Sequence, residues 1–437
     1  MKVGIIGAGI GGLTAAYRLS QMDHEVFVFE QGEQLGGQVR TFCVGGEPVE
    51  GFYHHIFMSD ADIIELIDEM GLSQQLHWLD SRVGFYHGGR IYDFVTSGDL
   101  LRFTPISLLD RLRLGLVALY LRRYDNWRAL EGITAKDWIM RYAGRRNYDV
   151  VWGPLLRGKF GTRHEEIGMV WFWGKIHLRF ASRAGGAQRE RLGYLGGSLG
   201  ALIEALARQV EQRKGRIFTQ SRARRIVSHE GKVKGLRVAI QGIEEEHPLD
   251  AIVATVDSGS VAQMAPELPS PYVQKLQRAR YQAAVCLVLV LKRQLTPIYW
   301  MNISDPTMPF VAAIEHTNLV DHKRYSGKSI LYLSNYVTPE DPLYEKDAQE
   351  LLEHYVPGIQ RLNPAFTLDW VEDVRVFKDK AGQPIVTTHY SRWIPEIVTP
   401  LQGLYVANTT QIYPEDRGLN YSVRLGNRVS KVVGQST

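Results

Sequence analysis

Cysteine is scarce in this chain of 437 residues: there are two, Cys43 and Cys286, and no Cys-x-x-Cys pair. That excludes a disulfide framework, a dithiol redox centre and a thiolate zinc site, and it fits a reducing compartment. Long apolar runs are missing too: no uninterrupted stretch reaches the roughly 18 residues that a membrane-spanning helix needs. The first apolar strand begins at Lys2, so no signal peptide is expected ahead of it. Charge of one sign is equally scant. A formal net charge of +4, with no basic helix interleaved with stacking aromatics, makes no electrostatic case for nucleic acid. His54-His55 lacks further ligands in register, so no metal site is expected. No repeat or low-complexity segment occurs. The expectation is a cytoplasmic or peripheral membrane protein of two or three domains, for which 45% hydrophobic residues supply ample core.

What is present is concentrated at the N-terminus. Lys2-Val3-Gly4-Ile5-Ile6 is an apolar strand, and Gly7-Ala8-Gly9-Ile10-Gly11-Gly12 follows at once. Gly7 permits a tight bend, Gly9 lets backbone approach a pyrophosphate, and Gly12 lets the next helix pack close to the strand. That helix, Ile10 to about Met22, points its N–H groups and positive dipole end at the phosphates. A second strand, Glu25 to Phe29, ends at Glu30-Gln31, where the carboxylate accepts hydrogen bonds from a ribose diol. Strand, glycine turn, helix and acid in this order read as a dinucleotide-binding unit.

Downstream, Leu35-Gly36-Gly37-Gln38-Val39-Arg40-Thr41-Phe42 replaces the next helix of a plain NAD domain. Paired glycines let the chain pass over a cofactor, and Arg40 can face its phosphates. This run resembles the FAD-binding signature of the flavin amine oxidase superfamily, which includes protoporphyrinogen oxidases and phytoene desaturases. Its usual form is Gly-Gly-Arg; Gln38 stands in the Arg place, and Arg40 is expected to take over the charge.

The resemblance implies FAD as cofactor and an α/β fold: a Rossmann-like FAD-binding domain of the GR2 type, with an inserted mixed α+β substrate domain. The FAD-binding part is expected from three segments, 1–75, 190–262 and 395–437, and the substrate part from 76–189 and 263–394. It further implies adenine contacts around Ala223, Arg224 and Ile226, and a closing motif after the strand Gly403 to Asn408. There Asn408-Thr409 stands where Gly-Asp is usual, and Asp416 is the alternative ribityl partner. The last helix is expected from Ser422 to Val433, and Asn420, Tyr421, Ser422 and Val423 around its start are expected to meet the flavin. Local patterns agree with this order. Ser59 and Asp62 read as a capping pair for a helix with Ile63, Leu66, Ile67 and Met70 on one face. Aromatic strands of the second domain are expected from about residue 76, and Gly196-Gly197-Ser198 introduces a helix whose stripe is Leu199, Leu202, Ile203, Leu206 and Val210.

Flavin chemistry asks little of the protein beyond placing the donor carbon and excluding water. His54 and His55, after the Gly-Gly loop, read as catalytic residues beside the ring or as satisfied histidines. Arg157 and Lys159 flank Gly158 and either clamp a substrate carboxylate or phosphate or are solvated cations on a helix end. Tyr390 and Arg392 either anchor the substrate or only pack. Phe160, Trp171, Phe172, Trp173 and Phe180 suit an apolar ligand. Leu100 to Trp127 repeats Leu109, Leu112, Leu116 and Leu119 at helical spacing among Arg111, Arg113, Arg122 and Arg123. The small net charge favours a buried helix with solvated arginines; a peripheral membrane helix is the alternative.

The resulting expectation is an FAD-dependent oxidoreductase of amine oxidase, protoporphyrinogen oxidase or desaturase type. Hydride would pass from a C–H bond of an apolar or partly aromatic small molecule to flavin, with oxygen or a quinone-type electron acceptor downstream. Two alternatives stand beside it: a non-redox flavin isomerase resembling UDP-galactopyranose mutase, which shares the topology and a comparable histidine loop, and a flavin-stabilised binding protein without turnover.

Overall fold

The apolar strand Lys2–Ile6 pairs in parallel with Glu25–Phe29 on one side and Ala251–Ala254 on the other. Arg216–Phe218 and Leu404–Val406 complete a five-stranded parallel sheet. In this computed structural model, residues 1–94, 96–181 and 190–435 are described, the side chains of 178–181 excepted. The strands are nearly continuous apolar runs because both faces are covered. Val3, Ile5, Val26, Val28 and Val253 pack against the helices Ile10–Gln21, Gly200–Gln212 and Leu419–Gln435. Alternate residues, Ile6, Phe27, Phe29 and Ile252, face a three-stranded antiparallel sheet and the helices Ser258–Met264 and Ser270–Arg278.

A second, seven-stranded sheet runs from Val371–Pro384 through Tyr281–Leu291, Ser329–Val337, Ala312–Glu315, Trp300–Ile303 and Val83–His87 to Arg90–Asp93. Helix Ala348–Leu362 covers one face, and Phe42, Phe52 and Tyr194 pack against the other. A separate group of helices includes Leu108–Arg123, Ala135–Tyr142, Gly153–Phe160 and Met169–Ala181.

Four local expectations are corrected. Helix Ala61–Glu69 does bury Ile63, Leu66 and Ile67, but Ser59 and Asp62 do not cap it. The Ser59 hydroxyl has no partner, Asp62 pairs with Arg424, and the Ile63 N–H donates instead to the Asn420 side chain at 3.1 Å. The strand Leu76–Asp80 pairs with Arg191–Leu195, so the aromatic strands of the seven-stranded sheet begin only at Val83. The last helix starts at Leu419, three residues before Ser422. Finally, Leu100 to Trp127 is neither one helix nor wholly buried. Pro105 separates Ser97–Arg102 from Leu108–Arg123, since proline disfavours helix in the residue before it. On the longer helix Leu114 and Leu121 are buried, whereas Leu109 and Leu116 are 79% and 68% exposed and Leu112 and Leu119 are exposed beside them. Its periodicity is helical, but the leucine row faces outward. Among the described residues no helix is long and apolar enough to cross a membrane.

Urea unfolding separates the two faces of this helix. Leu121→Ala is expected to lose about 2–5 kcal/mol through the cavity it leaves, and Leu109→Ala to stay within about 0.5 kcal/mol of the parent. Equal losses would mean that the leucine row is packed.

Candidate active site

One cavity of about 1640 Å³ runs from the first glycine turn to the exposed leucine helix, well beyond the roughly 300–1,000 Å³ of a single small-ligand site. Its first end is built by backbone. A Cβ on Gly12 would lie 2.1 Å from the Gly7 carbonyl oxygen, so only glycine lets the helix start this close to the strand; a Cβ on Gly9 would meet nothing within 4 Å. Gly7, Gly9, Gly11 and Gly12 line this end, and the first turn of Ile10–Gln21 carries no acid to compete with an anion. The Glu30 carboxylate accepts from the backbone N–H of Ala8 at 2.9 Å and of Gly32 at 2.8 Å, which holds it at the strand end facing the cavity. Open glycine backbone at a helix N-terminus with an acid beside it fits a pyrophosphate and ribose.

Gln31, Gly36, Gly37, Gln38 and Arg40 continue the lining, with Ala223 and Arg224 opposite. Arg40 lies over the rings of Phe52 and Phe377. The cation beside Gln38 is a different one: Arg417 Nη1 donates to Gln38 Oε1 at 3.1 Å. Asn408 and Ser422 also line the cavity, but the Asn408 amide is occupied in the fold, accepting from Thr410 and donating to the Val256 carbonyl and to Ser258. Asn420, Tyr421 and Val423 are not among the lining residues; Val423 is core, Asn420 caps a helix, and Tyr421 lies against Arg424.

The middle of the cavity is polar. Asp416 is buried and accepts from Lys159 Nζ at 2.7 Å, Lys175 Nζ at 2.7 Å, Trp171 Nε1 at 2.8 Å and Gln383 Nε2 at 3.2 Å. Burial alone would raise this carboxyl, but the two ammonium groups outweigh it and hold Asp416 well below the usual carboxylate range. Arg417 donates to three neutral oxygens, those of Gln383, Gln38 and Tyr336. Across from this cluster His54 lines the cavity with its Nδ1 2.8 Å from the Phe52 carbonyl. A carbonyl only accepts, so Nδ1 carries the proton and Nε2 the lone pair. Burial pushes the His54 imidazole down to about 4, so it is neutral at physiological pH.

The far end is apolar, with Phe85, Phe94, Leu112, Leu116, Trp152 and Ile176 among its walls. The side chains expected there pack elsewhere. Phe160, Trp171, Phe172 and Trp173 are buried in the helical group and do not line the cavity, because that face of Met169–Ala181 meets protein; the Phe180 side chain lies outside the described residues. On helix Gly153–Phe160 the lining positions are Pro154, Leu155, Gly158 and Lys159, which leaves Arg157 on the side turned away. His55 sits behind His54 with its Nδ1 3.0 Å from the Tyr299 hydroxyl, and Tyr390 is buried, donating to the Thr410 carbonyl. Arg392 is exposed on a surface turn. Of the groups around Asp416, Lys175 escaped sequence reasoning as part of the site; its signal was its place one helical turn after Trp171.

The family model "Flavin containing amine oxidoreductase" matches residues 10–415. The chain belongs to this family. It is therefore an FAD-dependent oxidoreductase with a Rossmann-like FAD-binding fold. The oxidoreductase is 21% identical to zeta-carotene desaturase of Synechocystis sp. over 94% of its own length and 92% of the relative's. A match to coproporphyrinogen III oxidase of Mycobacterium leprae, 37% identical, spans only 20% of either chain. Among solved structures, a putative protoporphyrinogen oxidase from Exiguobacterium sp. 255-15 superposes with a TM-score of 0.78 at 17% identity, covering 100% of this chain and 99% of that one. Reduced UDP-galactopyranose mutase superposes with 0.75 at 16% identity, covering 99% and 96%. At such identities the likeness is one of fold.

Purified oxidoreductase is expected to be yellow and to release FAD on denaturation, and Gly12→Val to abolish the colour, read as the ratio of flavin to protein absorbance. Asp416→Asn leaves two ammonium groups without their carboxylate and should cost about 3–5 kcal/mol in urea unfolding. A fully stable Asp416→Asn protein would contradict the ion cluster.

Proposed function

We propose that the enzyme oxidises an apolar or partly aromatic small molecule by hydride transfer from a C–H bond, with His54 as proton acceptor and oxygen or a quinone as the final electron acceptor. The observation that carries this reading is the apolar far end of the cavity, joined without a break to the glycine-built end. Residues 1–75, 190–262 and 395–437 form the FAD-binding part, with Gly7, Gly9, Gly12, Glu30, Gly37 and Ser422 nearest the cofactor. Residues 76–189 and 263–394 form the substrate part. The bound flavin supplies the hydride acceptor. The protein's work is to orient the donor carbon between His54 and the Lys159 wall, to keep water out with leucine and aromatic side chains, and to take at His54 Nε2 the proton that balances the departing hydride.

The route in follows from the same geometry. Leu112, Leu116 and Leu119 both line the cavity and are exposed, and Arg122 and Arg123 are exposed at the end of that helix. An apolar row with a cationic end suits the surface of an anionic membrane, from which an apolar substrate reaches the cavity without crossing water. The mutase reading shares the fold, but a sugar nucleotide gains little from leucine and phenylalanine walls.

Anaerobic mixing with an apolar donor is expected to bleach the oxidised flavin band, and turnover of a UDP-sugar by dithionite-reduced enzyme without net electron transfer would replace this reading by the isomerase. His54→Gln should slow flavin reduction by about 10²–10⁴-fold with FAD retained. Because His54 is held down to about 4, kcat/KM should stay level as pH falls to about 6 and drop only on approaching 4, whereas an ordinary histidine would place the drop near about 6.5. Vesicles containing anionic phospholipid should sediment the parent protein but not the folded, yellow Leu109→Asp/Leu116→Asp variant. A parent that stays in the supernatant would remove the membrane route.

A further inference from the structure

We propose that the middle of the cavity is an anion subsite, in which Lys159 and Lys175 hold a carboxylate borne by an otherwise apolar substrate, and which refuses a protonated amine. This rests on the oxidoreductase reading and narrows its substrate class.

The two lysines come from different helices, Gly153–Phe160 and Met169–Ala181, and both line the cavity. They converge on one oxygen, Asp416 Oδ2, each at 2.7 Å, while the other oxygen takes Trp171 and Gln383. Four donors saturate this carboxylate. It has little left to offer a substrate ammonium, yet an ammonium group carries three N–H donors and Lys159 uses one of them on Asp416. Next to it Arg417, half-buried, donates to neutral oxygens of Gln383, Gln38 and Tyr336. Two helical turns before Lys159, at the apolar end, the Trp152 indole N–H is buried without a partner on a residue that lines the cavity, a donor that lies outside this subsite.

The wider lining has the same sign. Lysine and arginine outnumber aspartate and glutamate among the lining residues by nine to four. A bound pyrophosphate neutralises part of that excess at the glycine end and leaves the middle positive. A carboxylate entering there makes charge-assisted hydrogen bonds, whereas an ammonium meets two lysines whose shared carboxylate is already taken up by four donors. Beyond the lysines, Leu155 and Ile176 lead to the leucine helix, so the remainder of the molecule is held as an apolar body. Within a family described by its amine chemistry, this wall points to an acid.

Three probes with one aromatic body and different heads, phenylbutyrate, phenylbutanol and phenylbutylamine, test this on the yellow holoenzyme by titrating the flavin absorption spectrum. Phenylbutyrate is expected to shift the spectrum saturably and to bind at least about tenfold more tightly than phenylbutanol, the factor supplied by one charge-assisted hydrogen bond. Phenylbutylamine is expected to produce no shift. Lys175→Met should erase the advantage of the acid over the alcohol, and Lys175→Arg should retain most of it; the comparison on the parent protein stands whether or not Lys175→Met folds. Phenylbutyrate that binds no better than phenylbutanol, or phenylbutylamine that binds as well as either, overturns the subsite. Either result leaves flavin content and anaerobic reduction by an apolar donor as they were, so the parent reading stands or falls on those measurements alone.

Discussion

A buried carboxylate survives only where opposite charges and hydrogen bonds replace the water it lost, and Asp416 is that group in this protein. Four side chains reach it from three stretches of chain, the helices Gly153–Phe160 and Met169–Ala181 and the end of the strand Val371–Pro384. Arg417, its neighbour, extends the network to Gln38 and to Tyr336 on the seven-stranded sheet. The segment before the last helix is thus pinned to the helical group, to the second sheet and to the paired-glycine loop at once. The cavity has a floor because these parts must meet around one charge. Removing Asp416 would leave its two lysines without their shared counter-charge.

The two ends of the cavity are built by different physics. The cofactor end depends on backbone: Gly12 allows the helix to touch the strand, Gly9 leaves space, and Glu30 is held by two backbone N–H groups. Side chains there are few, so a substitution acts by filling space. The substrate end depends on side chains. Its polarity comes from His54, whose tautomer the Phe52 carbonyl dictates, and from the lysine pair, while its walls come from residues that also form the outer rim. The leucine helix belongs to both worlds, with Leu114 and Leu121 in the protein and Leu109 and Leu116 outside it.

Much of this was legible in the chain, and the line between what was and was not follows contact range. The βαβ unit, its glycines and Glu30 could be read because every partner lies within about thirty residues and the turn geometry demands particular residue types. The three returns of the parallel sheet could be read because buried strands are apolar runs wherever they occur. Periodicity likewise identified the leucine helix but could not say which face meets protein: Leu109, Leu112, Leu116 and Leu119 form as good a stripe as any core helix. The same ambiguity of phase put Arg157 in the site together with Lys159, although of the two only Lys159 faces the cavity.

By itself the sequence determined the cofactor class, the parallel sheet and the order of the segments that build it, since these rest on local backbone geometry and on apolar runs. The tertiary structure alone decided that Asn420 caps the helix Ala61–Glu69, that Arg417 stands beside Gln38, and that Lys159 and Lys175 share Asp416. Those pairs are between 241 and 379 positions apart or depend on two helices meeting at one carboxylate. Long-range polar contacts carry no local signature, because a charged side chain reads the same in a sequence whether it ends in solvent or in the floor of a cavity.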